Sequence, residues 1–406
     1  MPDFEIVREK LDQAVGVLAE KDIDLWLTFV RETSQVRDPC LDLLLGLGLT
    51  WQSALVISRR TQSVRSGERI AIVGRFDADN VERTGGYTTV VGYDQSIREP
   101  LLEHLARLDP RQVALNFSES DPAADGLTHG MFRLLVQTLD GTPYADRIVS
   151  AEGLIGALRG RKSPAEVSRI RSAVQAAEAI FHRVGQLIRP GLTEREIAHL
   201  FHDLALEEGL ELAWEAGHCP TVAAGPDSAV GHAMPGDCVV QRGHLLQTDF
   251  GVRKDGFVSD LQRTWYLLDD GETGPPAEVV AGWEAARSAL EAGRAALRPG
   301  ARGWEVDQAA RETLIRAGYP EYMHAFGHHV GRSAHDGATV LGPRWERYGA
   351  SVDGVIEAGN VFAIELGVRV PERGYIGCEE DVLVTPQGAE YLSEPQVTLW
   401  CYPPAG

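Results

Sequence analysis

The sequence predicts two domains: an α/β domain over residues 1–158, then an α+β domain over residues 159–406 that repeats itself internally. Three observations carry this reading. The chain has 406 residues, more than one hydrophobic core ordinarily organises. Strand-like runs alternate with helical segments over the first third. Beyond that, segments opening with Arg-Pro-Gly at Arg189 and Arg298 each reach a glycine twenty residues on, at Gly209 and Gly318.

Apolar residues at Ile6, Leu11, Ala14, Val15 and Leu18 recur at helical spacing, so Phe4 to Lys21 reads as the first helix. The runs "DLWLTF", "SALVIS", "RIAIVG" and "YTTVVGY" read as strands, with helical segments "REPLLEHLARL" and "THGMFRLLVQTL" between and after them. Character changes at "LRGRK". Ser163 then offers an N-cap, Pro164 the first helical position and Glu166 a first-turn acid, and the domain boundary is placed just before them. Long helices alternate with β-hairpins from there on. Each Arg-Pro-Gly segment is helical and follows an Ala-rich helix. A half-domain duplicated about a pseudo-twofold axis accounts for this and places an active site between its halves. Chance recurrence of Pro-Gly turns and Ala-rich helices is the competing explanation.

A net charge of -20 argues against non-specific binding to nucleic acid or an anionic membrane. Cys40, Cys219, Cys238, Cys378 and Cys401 are scattered without CxxC spacing, as reduced cytosolic thiols are. The first residues are acidic where a signal peptide needs a basic then apolar run, and no apolar stretch reaches spanning length. A cytoplasmic protein is expected.

The segment "QTDFGVRKDGFVSDLQRT" places Asp249 and Asp260 inside the two arms of a hairpin. Alternation puts Asp249 on one face with Gln247 and Gly251, and Asp260 with Val258 and Gln262. With the turn at Lys254-Asp255, the two aspartates face each other, and opposed like charges repel. Either they are solvated positions on an exposed face, or cations lie between them. Downstream, "AFGHHVGRSAHDG" offers His328, His329 and His335, "NVFAIELGV" sets Glu365 in an apolar strand, and "GCEEDVLVT" offers Glu379 and Glu380. Burying Glu365 unpaired would be costly, which makes it the strongest single candidate. Glu379 and Glu380 point to opposite faces, so only one can join it. Two Asp, one His and two Glu form an oxygen-rich set with one nitrogen, suited to a pair of divalent ions such as Mn²⁺, Co²⁺ or Zn²⁺.

These residues, in this order, resemble the pita-bread metallopeptidases: methionine aminopeptidase, aminopeptidase P and prolidase, with creatinase as a metal-free relative. The resemblance spans roughly residues 160–395, and the first domain is similar in general layout to that of the creatinase, prolidase and aminopeptidase P branch. On it, "TDFG" gives Asp249, "SDLQRT" Asp260, "GHHVG" His328 and "FAIELG" Glu365. The family's last glutamate stands six residues before the threonine of "VLVT", so Thr385 selects Glu379. His232 of "GHAMPGD" matches a histidine that touches substrate and the departing amine, and His335 of "RSAHDG" one that polarises the scissile carbonyl. The chain departs from the family at Leu366 (usually proline), Gly377 (usually arginine), Asp336 (commonly glutamate) and His329 (usually glycine). No departure removes a ligand.

The resemblance implies two divalent metal ions bridged by Asp260 and Glu379, with Asp249 on one and His328 plus Glu365 on the other. A water activated between them attacks the peptide carbonyl. Glu365 shuttles the proton, His335 stabilises the oxyanion and His232 steers the amine or proline ring. Arg344 and Arg347 of "GPRWERYG" are candidates to hold a free substrate carboxylate, with plain surface charge the equal alternative. The implied activity is hydrolysis of Xaa-Pro dipeptides by a homodimer, with a small peptide as its partner and no nucleic acid or membrane. The alternatives are aminopeptidase P-type removal of an N-terminal residue, a creatinase-like amidinohydrolase, and a catalytically silent pita-bread binding protein.

Overall fold

The computed structural model describes residues 4–59, 67–231 and 233–403, and the chain divides into two compact units, Met1–Arg159 and Gly160–Gly406. In the first unit six strands form one mixed sheet: β1 (Leu25–Val30), β2 (Ser53–Ser58), β3 (Glu68–Gly74), β4 (Thr89–Tyr93), β5 (Val113–Leu115) and β6 (Ile148–Ser150), in the order β4-β3-β2-β1-β5-β6. Successive residues of β1 bury themselves in two different cores. Trp26 and Val30 join Val7, Leu11 and Leu18 of the helix Phe4–Glu20 on one face, while Leu25, Leu27 and Phe29 join Leu101, Leu105 and Leu135 on the other. A strand covered on both faces has no solvated side, which is why these runs lack polar alternation.

The second unit opens with the helix Pro164–Leu187, whose N-cap Ser163 and N3 residue Glu166 form a reciprocal capping box. Helices Glu194–Glu207, Ala277–Ala296 and Gly303–Arg316 follow. The strands are β7 (Glu211–Leu212), β8 (Thr221–Ala224), β9 (Leu245–Phe250), β10 (Val252–Lys254), β11 (Phe257–Val258), β12 (Leu261–Leu267), β13 (Gly327–His329), β14 (Val361–Val370), β15 (Gly374–Thr385), β16 (Gly388–Tyr391) and β17 (Trp400–Tyr402). The main sheet runs β13-β14-β15-β12-β9-β8, with β16 on β15 and β17 on β12. That order is a palindrome: β8-β9-β12 and β13-β14-β15 meet innermost strand to innermost strand.

Local bonds repeat as well. The Gly191 N–H donates to the Val240 carbonyl and the Gly300 N–H to the Ile356 carbonyl, both at 2.9 Å. Thr193 bridges Val239 as Arg302 bridges Val355. The helices cover one face of the sheet. Phe181 and Phe201 pack on Phe250 with ring centroids 5.7 and 4.6 Å away, and Trp283, Ala286 and Leu290 pack with Ile364 and Leu366. Residues adjacent in sequence to Phe250, Ile364 and Leu366 therefore face the other way. Among the described residues, no helix is long and apolar enough to cross a membrane.

The central hairpin corrects one expectation. Its turn lies at Asp255-Gly256, both with positive φ (51° and 80°), not at Lys254-Asp255. Lys254 thus pairs with Phe257, and Asp249 pairs with Gln262 rather than Asp260. Asp-Gly suits a turn with two left-handed residues, and it fixes the register. A two-residue slip preserves faces, so both aspartates stay on the uncovered side.

Candidate metal centre

Strand pairing builds the site. Thr221 pairs with Asp249, Asp249 with Gln262, Gln262 with Glu379, and Glu379 with Glu365. Directly paired residues share a face, so one rung across five strands carries three carboxyls and an amide. Asp260, two residues before Gln262, joins the same face. His328 arrives from β13, with its Nε2 3.8 Å from Asp260 Oδ2. Ligating atoms of Asp260, His328 and Glu379 lie within 4.8 Å of one another. Nδ1 of His328 donates to the Ala334 carbonyl at 3.0 Å, a bond that fixes the ring and leaves the Nε2 lone pair for a cation.

The electrostatics are one-sided. Burial, and after it the neighbouring acids, hold Asp249, Asp260 and Glu379 above the ordinary carboxylate range. Burial does the same to Glu365, opposed by hydrogen bonds from Gln262 and Tyr322. Among the described residues no lysine or arginine pairs with any of these four carboxyls, and Asp249 Oδ1 and Glu379 Oε2 are buried without a hydrogen-bond partner. Crowded acids without a countercation, with orphaned oxygens and one imidazole beside them, fit hard or borderline divalent cations. They fit a structural zinc site poorly.

Other site residues were not visible as such in the sequence. Gln262 donates to Glu365 Oε2 at 2.9 Å, and Tyr322 donates to the same oxygen at 3.5 Å. Asp381, fully buried, accepts the backbone N–H of Asp260 at 3.1 Å. Gly377 leaves a slot, because a Cβ there would lie 2.2 Å from Gln262 Oε1. The alternation of "QTD" and "SDLQ" signals both glutamines. Tyr322 sits in a loop and gives no sequence signal.

The four carboxyls, His328, Gln262 and Tyr322 line a cavity of about 760 Å³ that also receives Trp214, Val230, Met323, His335 and Arg369. The His335 ring stands edge-on to His328, centroids 4.3 Å apart. Its loop is pinned by the buried Lys162–Asp336 pair, Nζ to Oδ2 2.6 Å. His232 lies outside the described residues. Arg344 pairs with Asp353 at 2.6 Å and Arg347 donates to the Met323 carbonyl. Neither arginine lines the cavity; Arg369 does. Glu380 points through to the helix side, where Arg263, Ser393 and the Gln396 N–H hold it. His329 packs 4.1 Å from the Phe362 ring, and burial lowers it to about 3, so it serves as a neutral packing residue.

Residues 168–386 match metallopeptidase family M24. The chain belongs to this family. A metallopeptidase family implies dependence on divalent metal, in keeping with the donor set above. The chain is 27% identical over 326 residues to a Xaa-Pro dipeptidase of Pyrococcus furiosus, a match covering 78% of this chain and 89% of that one. Its fold matches a Xaa-Pro dipeptidase structure from Bacillus anthracis (TM-score 0.74, 22% identity, 97% and 99% of the two chains). It also matches an X-Pro aminopeptidase from Thermotoga maritima (TM-score 0.70, 23% identity, 96% and 99%). The second unit is thus a pita-bread domain, preceded by an α/β domain.

Proposed function

We propose that this M24 peptidase hydrolyses Xaa-Pro dipeptides with the help of two divalent cations held by Asp249, Asp260, His328, Glu365 and Glu379. The observation that carries the reading is the rung of crowded carboxyls, Glu379 buried and Asp249 and Glu365 half-buried, with no lysine or arginine partner among the described residues. The dipeptidase name of the Pyrococcus furiosus relative supports the substrate class. Bound there, the cations supply a Lewis acid and an acidified water. Gln262 and Tyr322 both engage Oε2 of Glu365, which leaves Oε1 to take the proton and return it to the leaving nitrogen. His335, beside His328, polarises the carbonyl, and His232 steers the amine or proline ring.

Arg369 takes the place first sought in Arg344 and Arg347. Among the described cavity-lining residues it is the one Lys or Arg, and it is tethered to the Pro226 carbonyl at 2.9 Å. It lies on the face of Glu365, four residues along the strand, about 13 Å. A short peptide's carboxylate is held there, and Trp214, Val230 and Met323 favour an apolar first residue. The test is kcat/KM for Leu-Pro and Met-Pro against Leu-Pro-Pro, Leu-Leu and creatine, with and without Mn²⁺. Dipeptides should lead. Faster tripeptide cleavage moves the chain to the aminopeptidase P type, and activity on creatine alone removes it from proline dipeptide chemistry.

A further inference from the structure

Gln262 occupies an unusual place. It stands in the middle of a rung of acids, paired to Asp249 on one side and Glu379 on the other, and is only 7% exposed. Its side chain does not lie over its own strand. It crosses β15 through the slot at Gly377 and donates from Nε2 to Glu365 Oε2 at 2.9 Å. The same residue is paired directly with Glu379 in the ladder, so its amide stands between the two glutamates. Its carbonyl end is anchored in turn, because Gln247 Nε2 donates to Gln262 Oε1 at 3.0 Å, and Gln247 is 5% exposed.

An amide presents donors at one end and an acceptor at the other. Gln247 binds the acceptor end and so settles which way the Gln262 amide is turned, with its nitrogen towards the carboxylates. We propose that Gln262 is a positioning residue: anchored by Gln247 and admitted by Gly377, it sets the orientation and spacing of Glu365 and Glu379 for the cations they hold. The inference rests on the metallopeptidase reading and adds a residue pair to it. A neutral donor suits the position. A lysine or arginine would compete with the cations for the carboxylates, and an apolar residue would leave two acids free to splay apart under their mutual repulsion.

The test is Co²⁺ binding by the full-length protein, followed by its visible absorption, alongside steady-state kinetics. Gln262→Met keeps the side-chain volume and removes the hydrogen bonds. It should weaken Co²⁺ binding or lower kcat by about 10–100-fold, as loss of an outer partner of a metal ligand does, with KM little changed and the Co²⁺ bands altered. Gln247→Met should shift the same readouts by less, and the double variant should be no worse than Gln262→Met alone. Gly377→Ala leaves both glutamines in place but fills the slot, so it should reproduce the Gln262→Met spectrum and stands in if that variant does not fold. Wild-type Co²⁺ affinity, spectrum and kcat in Gln262→Met or Gly377→Ala overturn the inference alone. Failure of the unmodified protein to take up Co²⁺ overturns the metallopeptidase reading and this inference with it.

Discussion

Glu379 and Glu380 are neighbours with opposite duties, and a single amide substitution at each separates them. Glu380 is 1% exposed, with Arg263 Nη2 at 3.1 Å and Ser393 Oγ at 2.6 Å on one oxygen and the Gln396 N–H at 2.8 Å on the other. Every neighbour is a donor, so Glu380→Gln must turn an N–H₂ towards one of them and takes the countercharge from buried Arg263. Breaking a buried pair costs about 3–5 kcal/mol. Arg263 keeps the carbonyls of Gln262, Glu379 and Glu394, and Glu178 lies 3.8 Å away, which favours the lower end, about 3 kcal/mol. For a unit of this size that lowers Tm by roughly 6–12 °C. At 25 °C kcat/KM should stay within about threefold of wild type. Glu379→Gln should do the reverse: activity falls at least about a hundredfold, while the metal-free Tm holds or rises because one acid leaves the crowd. Thermal melts in chelator, read beside kcat/KM with added Mn²⁺, give the comparison. An inactive Glu380→Gln with unchanged Tm would mean that the faces of β15 have been assigned backwards.

Three further outcomes follow. Glu365→Gln should fold normally and lose at least about a hundredfold in kcat, as expected for a lost acid/base group; turnover within tenfold of wild type removes that role. The site carboxyls have folded-state pKa values raised by burial, so their stabilising contribution is present below the unfolded value, about pH 4, and is lost as pH rises through the folded one. Metal-free protein should therefore lose stability from about pH 4 upwards, through the folded values of about 7 for Glu365 and about 8 for Asp249. Cation binding needs the ionised acids, so the Tm gain from Mn²⁺ should grow over the same range; a constant gain refutes this. Asp336→Asn removes the carboxylate partner of buried Lys162 and should cost about 3–5 kcal/mol by urea unfolding. Lys162→Met combined with Asp336→Leu should cost less than the single change.

Much of the site was legible because strand alternation is rigid. Asp249 and Asp260 could be set on facing strands from their spacing, even though the hairpin turn was centred one residue early; Glu365 stood out as an acid in an apolar strand, and the choice of Glu379 over Glu380 came from the family resemblance. The Asp255-Gly256 pair held the correct answer, since two adjacent left-handed residues favour an Asp-Gly turn. The arginines were less legible. Nothing local in "GPRWERYG" announces that Asp353 takes Arg344, because that pairing belongs to tertiary structure. Arg369 could have been found by counting four residues from Glu365 on the same face. The arginine expected at Gly377 has no counterpart; the space is taken by a side chain from the neighbouring strand, a substitution visible only once the register of β12 against β15 is known.

That register has a consequence for how the unit comes apart. β14 and β15 form an unbroken ladder from Val361↔Leu383 to Val370↔Gly374, whereas β12 meets β15 only at Gln262↔Glu379. The Thr264 hydroxyl extends the join by bonding both the N–H and the carbonyl of Gly377. The palindrome therefore has a thin seam at its axis, closed on the helix side by Arg263–Glu380 and flanked on the open side by the crowded acids. Asp249 and Asp260 lie on one lip; His328, Glu365 and Glu379 lie on the other. Without metal, like charges face each other across the weakest line of the sheet. Backbone amides of β12 and β15 beside it should be the first in the sheet to exchange with deuterium. Metal binding should slow that exchange more than it slows exchange at β14, making the cofactor a rivet between two half-domains as well as a reagent.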